Sequence, residues 1–218
     1  MSSLKTTLKK ILSELKSRNN IRERMLTKTR KITHLSKQAI IALHQNKFGE
    51  TEKRLSEARR LLDKLREEMK DAGELGSGSL SAAYEEYAEG MILLKLEREG
   101  VYPSQEEIGV PSSAYILGLG DVVGELRRKA LDSIRVQKTE DAERYLRWME
   151  EIYNELMLVD EHVFALLGGL RRKCDLARRL VEITRGDVVM EARRRHLEAS
   201  LKHLEKKVKT KAAAHSQR

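Results

Sequence analysis

An all-α fold is predicted from three features of the sequence. Leu, Ala, Glu, Lys and Arg are abundant and charged residues reach 35%, a composition typical of long helices. Only two prolines occur in 218 residues, and aromatics are 4%. Apolar residues recur three or four positions apart along most of the chain, and no stretch alternates as a strand does. A sandwich or barrel, which needs frequent turns and β-branched strands, is excluded. The expectation is a seven-helix bundle forming a single domain over 1–211, with 212–218 as a disordered C-terminal tail.

Each helix has its own signal. Over 4–18, Leu4, Leu8, Ile11, Leu12 and Leu15 repeat at helical spacing. Over 20–46 the stripe is Ile21, Met25, Ile32, Leu35, Ala39 and Leu43, interrupted by basic residues, and Asn46-Lys47-Phe48-Gly49 reads as a turn. A third helix, 50–71, carries Leu55, Ala58, Leu61, Leu62, Leu65 and Met69 on one side. Gly73 to Ser79 is the clearest break. It is read as a loop inside one bundle, because neither half of the chain alone has a complete core. A fourth helix covers 80–98, and both prolines fall in a loop from Gly100 to Pro111. Ser112 or Ser113 caps a fifth, 113–135. Thr139 starts a sixth, to about 167, which Gly168-Gly169 ends, and a long basic seventh spans 170–209. No 20–50-residue repeat is present, which excludes a solenoid.

Composition narrows the function classes. With Cys174 the sole cysteine, an internal disulfide framework and a Cys-rich zinc site are excluded, and a reducing compartment fits. No apolar run approaches the ~20 residues of a membrane span. Met1 to Thr7 lacks the apolar core of a signal peptide, so a soluble cytoplasmic protein without a membrane partner is expected. A net charge of +9 calls for an anionic partner, nucleic acid being the commonest large one; the alternative is a merely basic surface.

Familiar catalytic motifs are missing. There is no phosphate-binding Gly-x-x-x-x-Gly-Lys-Ser/Thr, no His-Glu-x-x-His, and no Glu-x-x-His of the di-iron bundles. Two acidic pairs remain. Glu86 and Glu89 lie i, i+3 on one helix face, with Glu89 between Ala88, Gly90 and an apolar run. A carboxylate there is costly to bury without a cation or donor. Asp121 and Glu125 lie i, i+4 among Gly118, Gly120 and Gly124, each of which costs up to ~1 kcal/mol against alanine in a helix. A bare backbone there permits close approach of another helix or a ligand. Four carboxylates on two helices suit Mg²⁺ or Mn²⁺, which can lower the pKa of a bound water and stabilise a phosphoryl oxyanion. The competing reading is two solvated helix faces. Arg30, Lys37 and His44 recur every seven residues as one polar stripe, and with Arg127 and Arg128 they form a candidate phosphate path; a solvated face or inter-subunit ion pairs read equally well. Trp148 is read as a packing or interface anchor.

The order of these motifs is similar to a known family. Arg22-x-Arg24, then Arg30-x-Ile32-Thr33-x-x-Ser36-Lys37-x-x-Ile40-x-x-Leu43-His44, resembles a helix shared by translin and Trax. Glu86-Tyr87-Ala88-Glu89 resembles the Glu-Tyr-x-Glu of Trax, and Tyr115 to Leu126 resembles its Tyr-Leu-Leu-Gly-x-x-Asp-x-x-Gly-Glu-Leu. Tyr145-Leu146-Arg147 to Tyr153 is also similar, so the likeness runs from about 20 to 190. The resemblance implies a seven-helix protomer assembling into a hollow shell of about eight copies. It implies binding of RNA or single-stranded nucleic acid, and a Mg²⁺-dependent endoribonuclease whose catalytic carboxylates match Glu86, Glu89 and Asp121, with Glu125 beside them. Translin subunits lack most of these acids, so this chain resembles the catalytic type. It lacks the extended eukaryotic N-terminal region and is more similar to archaeal members that act without a second subunit type. Two alternatives stand beside the nuclease: a non-catalytic single-stranded DNA- and RNA-binding oligomer like translin, and a helical scaffold of incidental charge.

Overall fold

The computed structural model describes residues 3–70 and 77–215. Among these are eight helices and no strand. They are α1 (Leu4–His44), α2 (Phe48–Lys70), α3 (Ser77–Glu99), α4 (Gln105–Ile108), α5 (Ser112–Arg135), α6 (Thr139–Met157), α7 (Glu161–Leu166) and α8 (Leu170–His215). The all-α class holds, and three details differ from expectation. The first two expected helices are one, because Ser17 to Asn20 holds no proline or glycine to stop α1. The expected sixth helix ends at Met157 and resumes as α7, with Leu158 closing the first piece. The proline loop contains α4, nucleated by a capping box in which the Ser104 hydroxyl accepts from Glu107 N while the Glu107 carboxylate accepts from Ser104 N. Residues 71–76 of the Gly73–Ser79 break lie outside the described residues. Of the expected tail 212–218, α8 includes residues up to His215, and 216–218 lie outside the described residues. No described helix is long and apolar enough to cross a membrane.

The helices divide into two compact units, Met1–Val122 with Glu161–Leu170, and Val123–Asp160 with Arg171–Arg218. In the first, α1 packs against α2 and α3. The buried residues of α1 include Met25, Thr29, Ile32, Ser36, Ala39 and Leu43, spaced alternately four and three apart. Asn46, in the left-handed region at φ 58°, turns the chain into α2, and the Thr51 hydroxyl donates to Ala39 O across the hairpin. Glycines let helices approach α3 from two sides. A Cβ at Gly90 would stand 3.0 Å from Leu55 of α2. One at Gly118 of α5 would stand 3.0 Å from Ala88 Cβ and 3.1 Å from both Glu85 O and Glu89 N.

In the second unit, Ala142, Leu146 and Val188 form a core cluster with Ile134 packed on it. Arg195 donates to Thr139 Oγ1 at 2.6 Å and Arg185 to Glu150 at 2.7 Å, tying α8 to α6. Arg144 stacks over Tyr145 and Trp148, whose rings meet edge to face, so Trp148 is a packing residue of α6.

The two kinds of glycine environment in α5 predict opposite effects. Gly118→Ala pushes α5 off the α3 backbone and is expected to destabilise by about 1–3 kcal/mol. A methyl group added at Gly124 would meet nothing within 4 Å, so Gly124→Ala is expected to stabilise by up to ~1 kcal/mol. Denaturant unfolding of both variants checks the pair, and destabilisation by Gly124→Ala would contradict the assignment of open space.

Candidate functional site

Three helices of the first unit bring the site together. Helix α3 supplies Glu86 and Glu89, α5 supplies Asp121, and α1 supplies Lys37. The close approach at Gly118 lies one turn before Asp121, so the glycine that admits α3 also sets how near that helix Asp121 begins. Glu89 is 8% exposed, on the α3 segment that Gly118 touches. Glu86 and Asp121 are half-buried.

The sequence places Lys37 in a phosphate-binding stripe. In the structure its ammonium lies 3.1 Å from Glu86 Oε1. The hydrogen bond to Glu86 and then that carboxylate's charge hold the Lys37 pKa above its ordinary 10.5. Partial burial opposes them, and the charges of Glu89 and Asp121 add to them. Three carboxylates from two helices therefore act on one cation. Glu125 follows Asp121 by one turn on α5, half-buried, and belongs to the second unit.

The all-oxygen donor set matches what Mg²⁺ and Mn²⁺ prefer, and Lys37 already sets a positive charge among the three acids. The donor chemistry fits such an ion. Among the described residues, however, no group of three or more His, Cys, Asp or Glu side chains is drawn close enough to hold one. One carboxylate, that of Glu86, pairs with the ammonium, and Glu89 and Asp121 act on it through their charge.

The remaining stripe residues have unlike surroundings. Arg30 is exposed, while His44 is half-buried in the last turn of α1, where a basic side chain complements the helix dipole. Arg127 and Arg128 belong to the second unit. Arg127 turns to α8, donating to Thr184 Oγ1 at 2.7 Å and standing 3.5 Å from Asp187, and Arg128 is exposed.

One supporting group escapes the sequence reading. Arg59 of α2 donates to Ile108 O, pairs with Asp63 at 3.0 Å and hydrogen-bonds Tyr87. Burial pushes the Tyr87 phenol up and the Arg59 bond opposes it. Tyr87 lies between Glu86 and Glu89 in α3, so Arg59 links α2 to the segment that presents them. The Arg59 guanidinium fills the space where a side chain at position 109 would stand, and Gly109 has φ 63°. A capping box ending in glycine, Ser104 to Gly109, is the one sequence signal that pointed there.

Comparison with known proteins bears on this arrangement. The translin family model matches residues 20–183. The uncharacterized protein MJ0175 of Methanocaldococcus jannaschii is 29% identical over 201 residues, 89% of this chain and 87% of that protein. The structure of an AfC3PO–duplex RNA complex is similar with a TM-score of 0.76 and 28% identity, covering 87% of this chain and 98% of the other. A crystal structure of AfC3PO has a TM-score of 0.77 and 30% identity over the same shares of the two chains.

The ion pair has a pH signature. A lysine whose folded pKa is raised contributes stability that is fully present below its unfolded value and lost as pH rises through the folded one. The stability difference between the wild type and Lys37→Met is expected to hold steady up to about pH 10 and to shrink above it. Urea unfolding across that range measures it. A difference independent of pH would show that Lys37 is not coupled to the acids.

Proposed function

This chain belongs to the translin family, and we propose that it is a metal-dependent endoribonuclease that binds and cuts RNA as a cytoplasmic homo-oligomer of about eight copies. The observation that carries the proposal is the 3.1 Å contact of Lys37 with Glu86, on a helix whose Glu89 acts with Asp121 of α5 on the same ammonium through charge. RNA as the polymer is supported by the likeness to AfC3PO, whose structure includes duplex RNA, and by the net charge of +9.

Glu86, Glu89 and Asp121 would hold Mg²⁺ or Mn²⁺, with Glu125 one turn further along α5. When bound at such oxygen donors, the ion supplies a water of lowered pKa and positive charge for a phosphodiester oxygen. Lys37 and that ion compete for Glu86. Freed from Glu86, the Lys37 ammonium donates a charge-assisted hydrogen bond to a phosphoryl oxygen as negative charge develops on it. A carboxylate of the trio takes the proton of the attacking water, the phosphorus–oxygen bond to the leaving ribose oxygen breaks, and that oxygen takes a proton from solvent. Arg30, exposed two helical turns before Lys37, holds a backbone phosphate.

One observation favours a second reading, a non-catalytic RNA-binding oligomer. Lys37 already pairs with Glu86, and among the described residues no three His, Cys, Asp or Glu side chains converge as a metal site does. The acids would then serve to hold α1, α3 and α5 together.

Cleavage of a labelled single-stranded RNA separates the two. With Mg²⁺ the wild type is expected to cut, and EDTA to stop it. Asp121→Ala and Glu89→Gln are each expected to lower the rate by at least ~100-fold while RNA binding persists. Binding without cleavage under Mg²⁺ and Mn²⁺ alike would leave the binding oligomer. Arg30→Ala is expected to weaken RNA binding and flatten its log–log salt slope by about one. An unchanged slope would remove Arg30 from the path.

A further inference from the structure

The first turns of α1 stand clear of the unit they belong to. Every residue from Ser3 to Asn20 is exposed, and the first buried residue of the helix is Met25. The stretch is nonetheless apolar along one side. Leu4, Leu8, Ile11, Leu12 and Leu15 are 45–74% exposed. Wound as a helix, these five share an arc of roughly 100°. No glycine or proline interrupts them.

Charge is arranged around that arc. Lys5, Lys9 and Lys16 follow one edge, and Arg18 and Glu14 lie toward the other. Lys10 is on the back of the helix with Thr6, Ser13 and Ser17. Glu14 is the sole acid among five bases. A lysine at the edge of an apolar face lays its stem along that face and holds its ammonium beyond it.

An occupant must therefore be apolar within and anionic at its border. A second copy of the stretch fails, since lysine would meet lysine. RNA would take up the bases and leave five apolar side chains in water. An anionic lipid surface meets both demands, with acyl chains for the arc and headgroup charge for the bases. Lying in such a surface needs no segment able to cross a membrane, and no described helix is one.

We propose that residues 4–18 of α1 lie in the plane of an anionic lipid surface, with Leu4, Leu8, Ile11, Leu12 and Leu15 entering the acyl boundary and the flanking lysines engaging headgroup phosphates. The segment is about 22 Å long. It precedes residue 20, where the family match begins, and its attachment to lipid does not depend on the nuclease reading.

Co-sedimentation of the full chain with lipid vesicles tests the proposal. Vesicles of phosphatidylglycerol and phosphatidylcholine in equal parts are expected to carry the chain down, and vesicles of phosphatidylcholine alone to bind it at least ~10-fold more weakly. Leu8→Gln with Leu12→Gln is expected to lower binding to the anionic vesicles at least ~10-fold. Far-ultraviolet circular dichroism and RNA affinity are expected to be unchanged in that variant, both side chains being exposed. Lys5→Gln, Lys9→Gln and Lys16→Gln together are expected to lower binding to the anionic vesicles roughly 100-fold, at about fivefold for each lysine. Three results would overturn the proposal: no binding to anionic vesicles, equal binding to both kinds, or undiminished binding by the double leucine variant. Failure with vesicles together with capture of an acidic amphipathic peptide would overturn it in favour of an acidic protein surface.

Discussion

How near α5 can come to α3 at Gly118 governs everything at the acidic site. The α3 backbone at Glu85 and Glu89 lies 3.1 Å from where a side chain at that position would begin. Any residue but glycine holds the helices apart, and Asp121, one turn on, moves with α5. Gly90 makes the corresponding concession to Leu55 on another side of α3. A glycine in mid-helix costs up to ~1 kcal/mol, so two of them bordering one buried glutamate need an offsetting gain. The gain is close packing, and its consequence is that Glu89 is taken out of water beside two further acids.

Removing a carboxylate from water demands a positive partner. Lys37 supplies that charge from the solvent side: its side chain is 59% exposed while Glu86 is 25% exposed. Solvent screens such a contact and weakens it. A weak resident cation can be exchanged for a stronger one, and a lysine released from its carboxylate can engage a phosphate. The same arrangement is compatible with a structural ion pair and with the reaction centre proposed above, and what separates them is the occupant of Glu86.

Much of this was legible in the sequence. Helix identity followed from apolar spacing, and the two acid pairs and the glycines among them were visible as local oddities. The boundaries that failed did so for local reasons. Asn19 and Asn20 are weak helix formers, but strong ones flank them on both sides, so α1 runs through. The role of Lys37 was not legible, because it lies far from Glu86 along the chain and its seven-residue spacing from Arg30 and His44 read as one face. Only tertiary packing separates the three, pairing Lys37, leaving Arg30 exposed and half-burying His44. Arg59 was silent for the same reason: its partners Tyr87, Ile108 and Gly109 come from α3, α4 and the turn after α4.

Periodicity also left open which part of a helix is covered. In α1 the exposed Leu4, Leu8, Ile11 and Leu15 and the buried Met25, Thr29, Ile32, Ser36, Ala39 and Leu43 follow one alternation of four and three. Burial is decided by the neighbour's length. Helix α2 has 23 residues, and its Glu68 reaches back only to Lys28. Residues before about Met25 therefore overhang. Helix α8 repeats the situation, since Thr139 at the start of α6 meets Arg195 and the rest of α8 continues past it. The two overhangs are not equivalent. The first has Lys5, Lys9, Lys10 and Lys16 about its seam against a single Glu14, so two copies side by side would repel. The second borders its seam with glutamates on one side and bases on the other. Charge pattern, not hydrophobicity, distinguishes the two overhangs.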